Sequence, residues 1–454
     1  MGGWVGGWVE VKAGLRIAYS NQKFQKQKLI DHIVCDSISY RGQKGVNEGI
    51  TNFYRELYRE VETLPDEENF YDNSPRLSQT SVEMLENELT QEELLKALNT
   101  CTDSAPGSDG ITYSIYKKLW NIAGPIILNA WRYSCEKSEM PPSHKESIIT
   151  LLPKEGKNTK DIKNWRPITL SNCDSKIITK ALALRVSKVL DEVIDQNQTA
   201  YVSGRAVADN LRCIKFMKDH CRQKDIDAIL VSLDARKAFD SVSHSYIRET
   251  LIKYGFGQNF INYFNTLYND ISAKVLINGY LSEKINIERG VKQGDALSCA
   301  IFILCIDPLL RNLNADAEIK TIKVKTKLSK IDVNYKAGGY ADDINVLCKS
   351  DRGSLQRIFW HYERLTKRSG LTLNADKTEI LALNSDEIIE YDVIYENVSL
   401  RIHTVKDLKI CGIWFCINPE EEYIKNISEK FISKASREDL LNNSKCSLNA
   451  RDYR

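Results

Sequence analysis

Residues 337–348 carry the feature that most constrains the fold of this chain, two adjacent aspartates inside a pattern typical of a β-hairpin. Gly338 and Gly339 precede them, and residues 344–348 favour a strand, so residues 340–343 are expected at a tight turn. Two carboxylates a few ångströms apart repel each other unless a cation shares them. The aspartate pair therefore indicates a divalent-metal site or, taken alone, a solvated acidic turn.

The distribution of charge is more informative than the overall composition. The chain has 454 residues, of which 42% are hydrophobic and 27% charged, values ordinary for a globular protein with two or three subdomains. The net charge of +2 hides an uneven spread. Residues 61–99 hold ten acidic and two basic residues, residues 145–188 hold ten basic and four acidic, and residues 319–336 hold six lysines and one aspartate. The basic segments favour a surface that faces a polyanion, although a solubilising lysine face has the same composition.

Cysteines and apolar runs favour an intracellular protein. The twelve cysteines have irregular spacings and no Cys-x-x-Cys pair, which is typical of reduced thiols. We interpret Cys411, Cys416 and His403 as core packing and not as a metal site. The longest apolar run, residues 300–306, is too short to cross a bilayer, and residues 1–14 lack the pattern of a signal peptide. We expect a protein of the nucleus or cytoplasm that is neither secreted nor bound to a membrane.

Local signals along the chain predict an α+β protein with a mixed or antiparallel sheet and no series of βαβ units. Residues 90–93 have the pattern of a capping box that opens a helix over 91–98. Asn278-Gly279 predicts a hairpin between strands 273–277 and 284–288.

Asp234 supplies a third carboxylate, because it ends the apolar strand predicted at residues 228–233. Asp234, Asp342 and Asp343 together give three hard oxygen ligands, the type that suits Mg²⁺ when substrate phosphates complete the shell. Two such ions activate an attacking hydroxyl and neutralise a leaving pyrophosphate, so this phosphoryl transfer needs no His, Ser or Cys nucleophile. For Asp234 alone, a cap or turn after a strand is the commoner explanation.

Ordered blocks over about residues 100–415 resemble the motifs of reverse transcriptases, in particular those of non-LTR (long interspersed element-like) retrotransposons. Residues 230–240 resemble motif A, residues 289–298 motif B and residues 340–343 motif C. The flanking blocks are similar to other parts of these enzymes: 106–110 to a block ahead of the fingers, 152–154 and 165–168 to the fingers, 198–201 with 204–205 to the following block, 370–378 to motif D and 408–413 to the primer grip.

The resemblance implies catalytic and metal-binding roles. Asp234, Asp342 and Asp343 would hold two Mg²⁺ ions, for which Mn²⁺ is a substitute, with the backbone carbonyl of Ala235 as a further ligand. Lys377, in the motif D block, would donate a proton to pyrophosphate, although a surface lysine is the commoner reading of that residue.

The resemblance also implies contacts with the incoming nucleotide. Phe239 would exclude a ribose 2′-OH and so favour deoxynucleotides, although core packing accounts for a Phe there equally well. Gln293 and Gly294 would shape the nucleotide pocket, since a glycine allows close backbone approach. Lys154 and Arg166 would grip the triphosphate.

Further contacts with substrate and template follow from the same blocks. Arg205 and Tyr340 match substrate-binding positions. The basic stretch 145–188 would follow the template backbone, and Tyr201 or Trp165 would stack on RNA bases unless they belong to the core.

The implied fold is a right-hand polymerase with helical and β fingers, an antiparallel-sheet palm and a truncated thumb. We predict an N-terminal accessory segment over 1–99, fingers over 100–227, a palm over 228–400 with a finger-like insertion at 255–290, and the primer grip with the start of the thumb over 401–454. The implied partners are an RNA template, a DNA primer, dNTPs and other parts of an element polyprotein.

Some features depart from the family pattern. Ala296 and Cys299 stand where motif B usually has prolines, and Lys292 is the basic residue before Gln293. No endonuclease, ribonuclease H or zinc knuckle is recognisable, so we expect a fragment of a longer polyprotein. Two alternatives stay open: a catalytically silent nucleic-acid-binding remnant, and a group II intron maturase, which would need a splicing domain after the thumb.

Overall fold

The computed structural model describes residues 29–64, 69–325, 332–333, 335–385 and 387–428. The predicted start of the thumb within residues 429–454 lies outside these ranges, as do residues 1–28 of the accessory segment and part of the lysine-rich stretch 319–336.

Helices and strands alternate irregularly along the described chain. The helices are α1 (Gly42–Tyr58), α2 (Gln79–Glu86), α3 (Gln91–Thr100), α4 (Tyr113–Lys118), α5 (Trp120–Lys137), α6 (Pro142–Lys145), α7 (Cys173–Val186), α8 (Leu190–Val193), α9 (Val207–Gln223), α10 (Ala238–Ser241), α11 (His244–Lys253), α12 (Gln258–Tyr268), α13 (Ala296–Ala315), α14 (Arg352–Ser369) and α15 (Pro419–Tyr423). Short 3-10 turns lie at Ile162–Asn164 and Ala375–Lys377, and a π-helical turn at Ile424–Ser428.

The strands are β1 (His32–Cys35), β2 (Ile38–Arg41), β3 (Glu146–Pro153), β4 (Trp165–Leu170), β5 (Ala228–Leu233), β6 (Ser272–Ile277), β7 (Tyr280–Leu281), β8 (Ile285–Asn286), β9 (Val324–Lys325), β10 (Asp332–Val333), β11 (Ala337–Tyr340), β12 (Asp343–Lys349), β13 (Glu379–Ala382), β14 (Glu390–Tyr395), β15 (Val398–Val405), β16 (Asp407–Ile410) and β17 (Ile413–Cys416).

These elements belong to two compact units. The larger unit takes its described residues from 1–205, 235–315 and 362–373, and the smaller unit from 206–234, 316–361 and 374–454. The predicted division into fingers, palm and thumb is a functional one and stays a prediction.

The larger unit contains a five-stranded sheet flanked by helices. Its strand order is β4-β3-β6-β7, with β8 also paired to β6, and β3 runs antiparallel to β4 but parallel to β6. The predicted Asn278-Gly279 turn is confirmed, because Ile277 pairs with Tyr280 while Asn278 and Gly279 have φ values of 52° and 87°. The returning strand begins at Tyr280, before the predicted start at residue 284, and is divided into β7 and β8.

The capping box predicted at residues 90–93 opens α3. The hydroxyl of Thr90 accepts a hydrogen bond from the Glu93 amide at 3.2 Å, and the Glu93 carboxylate accepts one from the Thr90 amide at 3.0 Å. Two amides that the helix itself cannot satisfy are thereby bonded.

The N-terminal region is more ordered than its polar sequence predicts. Strands β1 and β2 form a hairpin whose turn residues, Asp36 and Ser37, have φ values of 44° and 70°. Helix α1 begins at Gly42 without a side-chain cap. The side chain of Tyr40 lies on Gly49, so tertiary packing explains what local propensity misses.

Helix α13 is long and apolar enough to meet a length-and-composition test for a membrane span, alone among the helices of the described ranges. Fifteen of its twenty residues are buried, including Asp307, whose carboxylate accepts hydrogen bonds from Tyr254 and Arg311. A buried, bonded carboxylate in the middle of the helix is typical of the core helix of a folded domain.

The smaller unit is built on a six-stranded sheet in the order β11-β12-β5-β13-β15-β14. Every neighbouring pair is antiparallel except β13 and β15. Leu230, Leu347 and Leu381 from three adjacent strands share a buried core with Met217 of α9 and Phe415 of β17. This unit has the predicted α+β organisation, and its sheet carries the hairpin of residues 337–349.

Candidate active site

The hairpin between β11 and β12 has the predicted tight turn. Tyr340 pairs with Asp343, which leaves Ala341 and Asp342 as the two turn residues. Ala341 has a φ of 56°, in the left-handed region that glycine normally fills at the first position of a two-residue hairpin turn. A strained non-glycine residue at a turn costs on the order of 1 kcal/mol, and such strain is common at functional sites.

Strand β5 sets Asp234 beside this turn within the smaller unit. Leu233 pairs with Ile344 of β12, and the same register extended by one residue places Asp343 opposite Asp234. Opposed residues of antiparallel strands have Cβ atoms about 5 Å apart. The prediction that the strand-end aspartate and the turn aspartates come together is therefore supported by the strand register.

The other neighbour of β5 brings a cation to the same place. Because Ser232 pairs with Glu379 of β13, the register continued by two residues sets Lys377 opposite Asp234. Oδ2 of Asp234 lies 3.3 Å from Nζ of Lys377 and accepts a hydrogen bond of 2.8 Å from Nδ2 of Asn374. Asp234 thus stands at the end of a central strand, with a carboxylate on one side and a lysine on the other.

The carboxylates of the turn are electrostatically strained. Burial and the adjacent Asp343 raise the pKa of Asp342 to about 6, and Asp234 adds to this effect. Burial, again with the help of Asp234, raises the pKa of Asp343. Cys411 lies 3.7 Å from Oδ2 of Asp343, and burial together with that carboxylate raises the pKa of its thiol to about 12. Cys411 is therefore a neutral donor beside the site, which the sequence-based assignment to core packing misses.

The donor set fits a divalent cation. Three carboxylates with only one lysine beside them need more positive charge, and hard oxygen ligands are those that Mg²⁺ and Mn²⁺ take. No three His, Cys, Asp or Glu side chains in the described part of the chain are already arranged as a complete metal-binding group. The carboxylate of Asp234 is instead bonded to Lys377 and Asn374.

Residues 235–240 of motif A and all of motif B lie in the larger unit. Ala235 is the next residue after Asp234, and its backbone forms an isolated bridge with Leu373. The ring of Phe239 stacks on Phe302, with centroids 4.4 Å apart, and its carbonyl accepts a hydrogen bond from the Val291 amide at 2.7 Å. Motif A and the start of motif B are thus fixed to each other by backbone bonds.

Asp240 is a second feature that sequence reasoning passed over. It is only 2% exposed, and its carboxylate accepts hydrogen bonds from the Tyr58 hydroxyl at 3.2 Å and from Nε2 of Gln293 at 2.8 Å. Burial raises the pKa of Asp240 to about 6.

Gln293 and Gly294 sit on a loop held by β4. The Gln293 carbonyl accepts a hydrogen bond from the Thr169 amide at 3.0 Å. Gly294 has a φ of 107°, and a side chain there would approach the Thr169 carbonyl at 3.3 Å, so only glycine fits without strain.

The predicted phosphate-gripping residues differ in their surroundings. Nζ of Lys154 donates to the Lys163 carbonyl at 2.9 Å. Arg166 is exposed and forms no hydrogen bond or ion pair with the residues that the structure describes. Arg205 donates to the carbonyls of its own loop and to Asp191, which favours a structural role, while its predicted substrate contact stays a prediction.

Burial distinguishes Trp165 from Tyr201, the two rings predicted to stack on bases, and from Tyr340, which is predicted to contact the substrate. Trp165 is 4% exposed and its indole N–H donates to the Thr159 carbonyl, so it belongs to the core. Tyr201 is 49% exposed and Tyr340 is 38% exposed. Of these three residues, Tyr201 and Tyr340 present their rings to solvent.

Comparisons with known proteins agree with the resemblance found in the sequence. A family model described as reverse transcriptase (RNA-dependent DNA polymerase) matches residues 152–415. The Transposon TX1 uncharacterized 149 kDa protein of Xenopus laevis is 30% identical over 429 residues, which are 93% of this chain and 31% of that protein. The Retrovirus-related Pol polyprotein from type-2 retrotransposable element R2DM of Drosophila melanogaster is 28% identical over 320 residues, 70% of this chain and 29% of the relative.

A third relative, the Retrovirus-related Pol polyprotein from type-1 retrotransposable element R2 of Popillia japonica, is 29% identical over 291 residues, 64% of this chain and 39% of the relative. The chain thus spans less than half of each of these relatives. The family implies a polymerase palm fold, with which the mixed helix and sheet structure is compatible, and its members use divalent metal ions. Since the family model covers more than half of its length, the chain belongs to the reverse transcriptase family.

Proposed function

We propose that this chain is the RNA-directed DNA polymerase domain of a non-LTR retrotransposon and that it extends a DNA primer 3′-OH along an RNA template with dNTPs. The observation that carries the proposal is the strand register of the smaller unit, which brings Asp234 beside the Asp342-Asp343 turn. The relatives named for retrotransposable elements support the same assignment.

The carboxylates of Asp234, Asp342 and Asp343, with the carbonyl of Ala235, are the residues we assign to two Mg²⁺ ions, which Mn²⁺ can replace. When bound, the ions supply activation of the primer hydroxyl and neutralise charge on the leaving pyrophosphate. The raised pKa of Asp342 means that this ligand competes with protons near pH 6.

Lys377 is the proposed proton donor to pyrophosphate. Its ammonium lies 3.3 Å from Asp234, so a charged donor is kept at the edge of the carboxylate group. Its side chain is 60% exposed, which leaves room for a phosphate oxygen to approach.

The larger unit supplies the residues proposed to select the nucleotide. Phe302 covers one face of Phe239 and so fixes the ring that would exclude a 2′-OH. The side chain of Gln293 is oriented by its bond to Asp240, and Arg166 and Lys154 offer positive charge for the triphosphate. Tyr201 is the exposed ring that we propose stacks on the RNA template.

Primer extension on an RNA template with Mg²⁺ tests the proposal. We expect wild type to extend the primer with dNTPs and Asp342→Asn to be reduced on the order of 10³-fold, because a carboxylate ligand is lost with little change of shape. Asp392→Asn is the matched control, since Asp392 is an exposed aspartate of β14 that pairs with Arg401 in the same unit.

Equal extension by wild type and Asp342→Asn would show that the site is wrongly assigned. Salt-dependent RNA binding by a wild type that never extends a primer would instead favour the silent nucleic-acid-binding remnant. An element polyprotein as the source, and a nuclear or cytoplasmic location, are parts of the same proposal.

A further inference from the structure

A cavity in the larger unit, outside the proposed polymerase site, has unused hydrogen-bonding groups. It has a volume of about 680 Å³ and lies between α11, α12 and the β8 region. Cavities of this size hold small organic ligands such as nucleotides. Its wall includes the stacked rings of Phe264 and Tyr268, whose centroids are 4.7 Å apart.

His244 offers an acceptor at this wall. Its Nε2 lies 2.9 Å from the Gly290 carbonyl, and since a carbonyl only accepts, Nε2 carries the hydrogen. Burial lowers the pKa of His244 to about 4, so the ring is neutral at physiological pH. Nδ1 is then a lone-pair acceptor, left for a donor from a ligand.

Asn265 offers a complete amide. Its side chain forms no hydrogen bond with the residues that the structure describes, and Oδ1 is buried without a partner. A buried amide left without partners is costly, so such groups usually have a ligand or water to satisfy them. The χ2 rotation of Asn is broad, so either amide atom can turn toward the cavity.

Arg248 provides a positive charge at the same cavity. It is exposed and makes no hydrogen bond or ion pair within the described ranges. The acidic lining residues are already engaged: Asp270 pairs with Lys145 at 3.3 Å, and Glu288 accepts a hydrogen bond from the Glu60 amide at 2.8 Å. Glu288 keeps its negative charge, and Arg248 is the lining cation that remains available to a ligand, as a guanidinium that suits a phosphate.

We propose that this cavity binds an adenine nucleotide, with Asn265 on the base and Arg248 on the phosphate. An Asn amide pairs with adenine through two hydrogen bonds, accepting from the 6-amino group and donating to N7. The apolar wall of Phe264 and Tyr268 suits the purine, and His244 accepts a further N–H. The adenine can come from a free nucleotide or from an unpaired base of single-stranded RNA, because both present the same groups.

Calorimetric titration of the full chain with 5′-AMP tests the proposal. EDTA is included so that the proposed metal-dependent site does not contribute. We expect saturable binding, about tenfold weaker for Arg248→Gln and about fivefold weaker for Asn265→Leu. Inosine 5′-monophosphate, which lacks the 6-amino group but keeps N7, should bind more weakly than AMP to wild type, and Asn265→Leu should weaken its binding less than that of AMP.

The matched controls are Arg132→Gln and Asn121→Leu, exposed residues of α5 that do not line the cavity. Both should bind AMP as wild type does. Asn265→Leu should retain the wild-type melting temperature, since it removes an unsatisfied buried oxygen. Absence of saturable AMP binding, or AMP binding that neither cavity variant weakens, would overturn the proposal.

Two RNAs separate the sources of adenine. A nine-nucleotide oligouridine with one central adenosine should bind more tightly than oligouridine alone if an RNA base is the ligand, and Asn265→Leu should remove that difference. If AMP binds and the two RNAs do not differ, the ligand is a free nucleotide.

Discussion

Two regions of this chain contain aspartates whose pKa values are raised to about 6, yet they are built differently. In the larger unit, Asp240 and Asp307 are almost completely buried, and each carboxylate accepts hydrogen bonds from neighbouring side chains. In the smaller unit, Asp342 lies in a turn beside Asp343, and like charge adds to burial in raising its pKa. A raised pKa alone does not identify a catalytic carboxylate. What distinguishes the two kinds of carboxylate is whether neighbouring side chains already donate hydrogen bonds to it.

The largest expected effect on stability is at a satisfied carboxylate. Asp307→Ala leaves Arg311 and the Tyr254 hydroxyl without their buried partner. We expect the free energy of unfolding to fall by about 3–5 kcal/mol, as when one member of a buried pair is removed. Urea unfolding measures this loss, and a change below about 1 kcal/mol would contradict the structural role of Asp307.

At the turn, removal of a carboxylate should raise the free energy of unfolding, the opposite of the effect at Asp307. The pKa of Asp342 is raised in the folded state, so its ionisation costs stability as pH rises from about 4 through about 6. Without metal, Asp342→Asn should therefore be more stable than wild type by about 1–2 kcal/mol at pH 8 and equal to it below about pH 4. Thermal unfolding in EDTA at the two pH values measures the difference, and destabilisation at pH 8 would show that the charges are internally compensated.

Asp240 should influence the nucleotide through Gln293. Asp240→Asn keeps the shape of the side chain but replaces one acceptor by an NH₂ group, so Tyr58 and Gln293 can no longer each donate to an oxygen of their own at residue 240. A loss of about 1 kcal/mol in the binding free energy of the nucleotide predicts roughly a fivefold rise in KM for dNTP, with kcat nearly unchanged. Steady-state primer extension measures KM and kcat separately. A loss of kcat comparable to that of Asp342→Asn would make Asp240 a catalytic residue.

The smallest effect is expected at Cys411. A thiol is a weak donor, and its sulfur lies 3.7 Å from Asp343. Cys411→Ala should change the primer-extension rate by less than about threefold, since a weak donor at this distance contributes little. A tenfold loss would place the thiol among the groups that position Asp343.

The sequence predicted the features that depend on local chemistry or on a motif. The Asp342-Asp343 turn, the Asn278-Gly279 hairpin and the Thr90 capping box all depend on a few neighbouring residues, and the structure contains each of them. The partners of Asp234 were only partly foreseen. Lys377 was assigned from a motif, whereas its position opposite Asp234 follows from the register of β13, which sequence does not display.

Features that depend on tertiary packing were missed. The hairpin β1–β2 is short, with four residues in each strand, and α1 begins without a cap, so neither has a strong local signal. Trp165 and Tyr201 look alike in sequence as stacking rings, but only packing shows that Trp165 is buried. The hydrogen bonds of Asp240 could not be predicted, because its partners Tyr58 and Gln293 are distant in sequence.

The central claim is that the turn carboxylates hold divalent metal while the buried carboxylates do not. Mn²⁺ binding, followed by electron paramagnetic resonance with a 3′-deoxy-terminated primer on RNA and a dNTP, tests it most directly. Wild type and Asp240→Asn should bind Mn²⁺ alike, and Asp342→Asn should bind it at least tenfold more weakly. Equal Mn²⁺ binding by wild type and Asp342→Asn would contradict the claim.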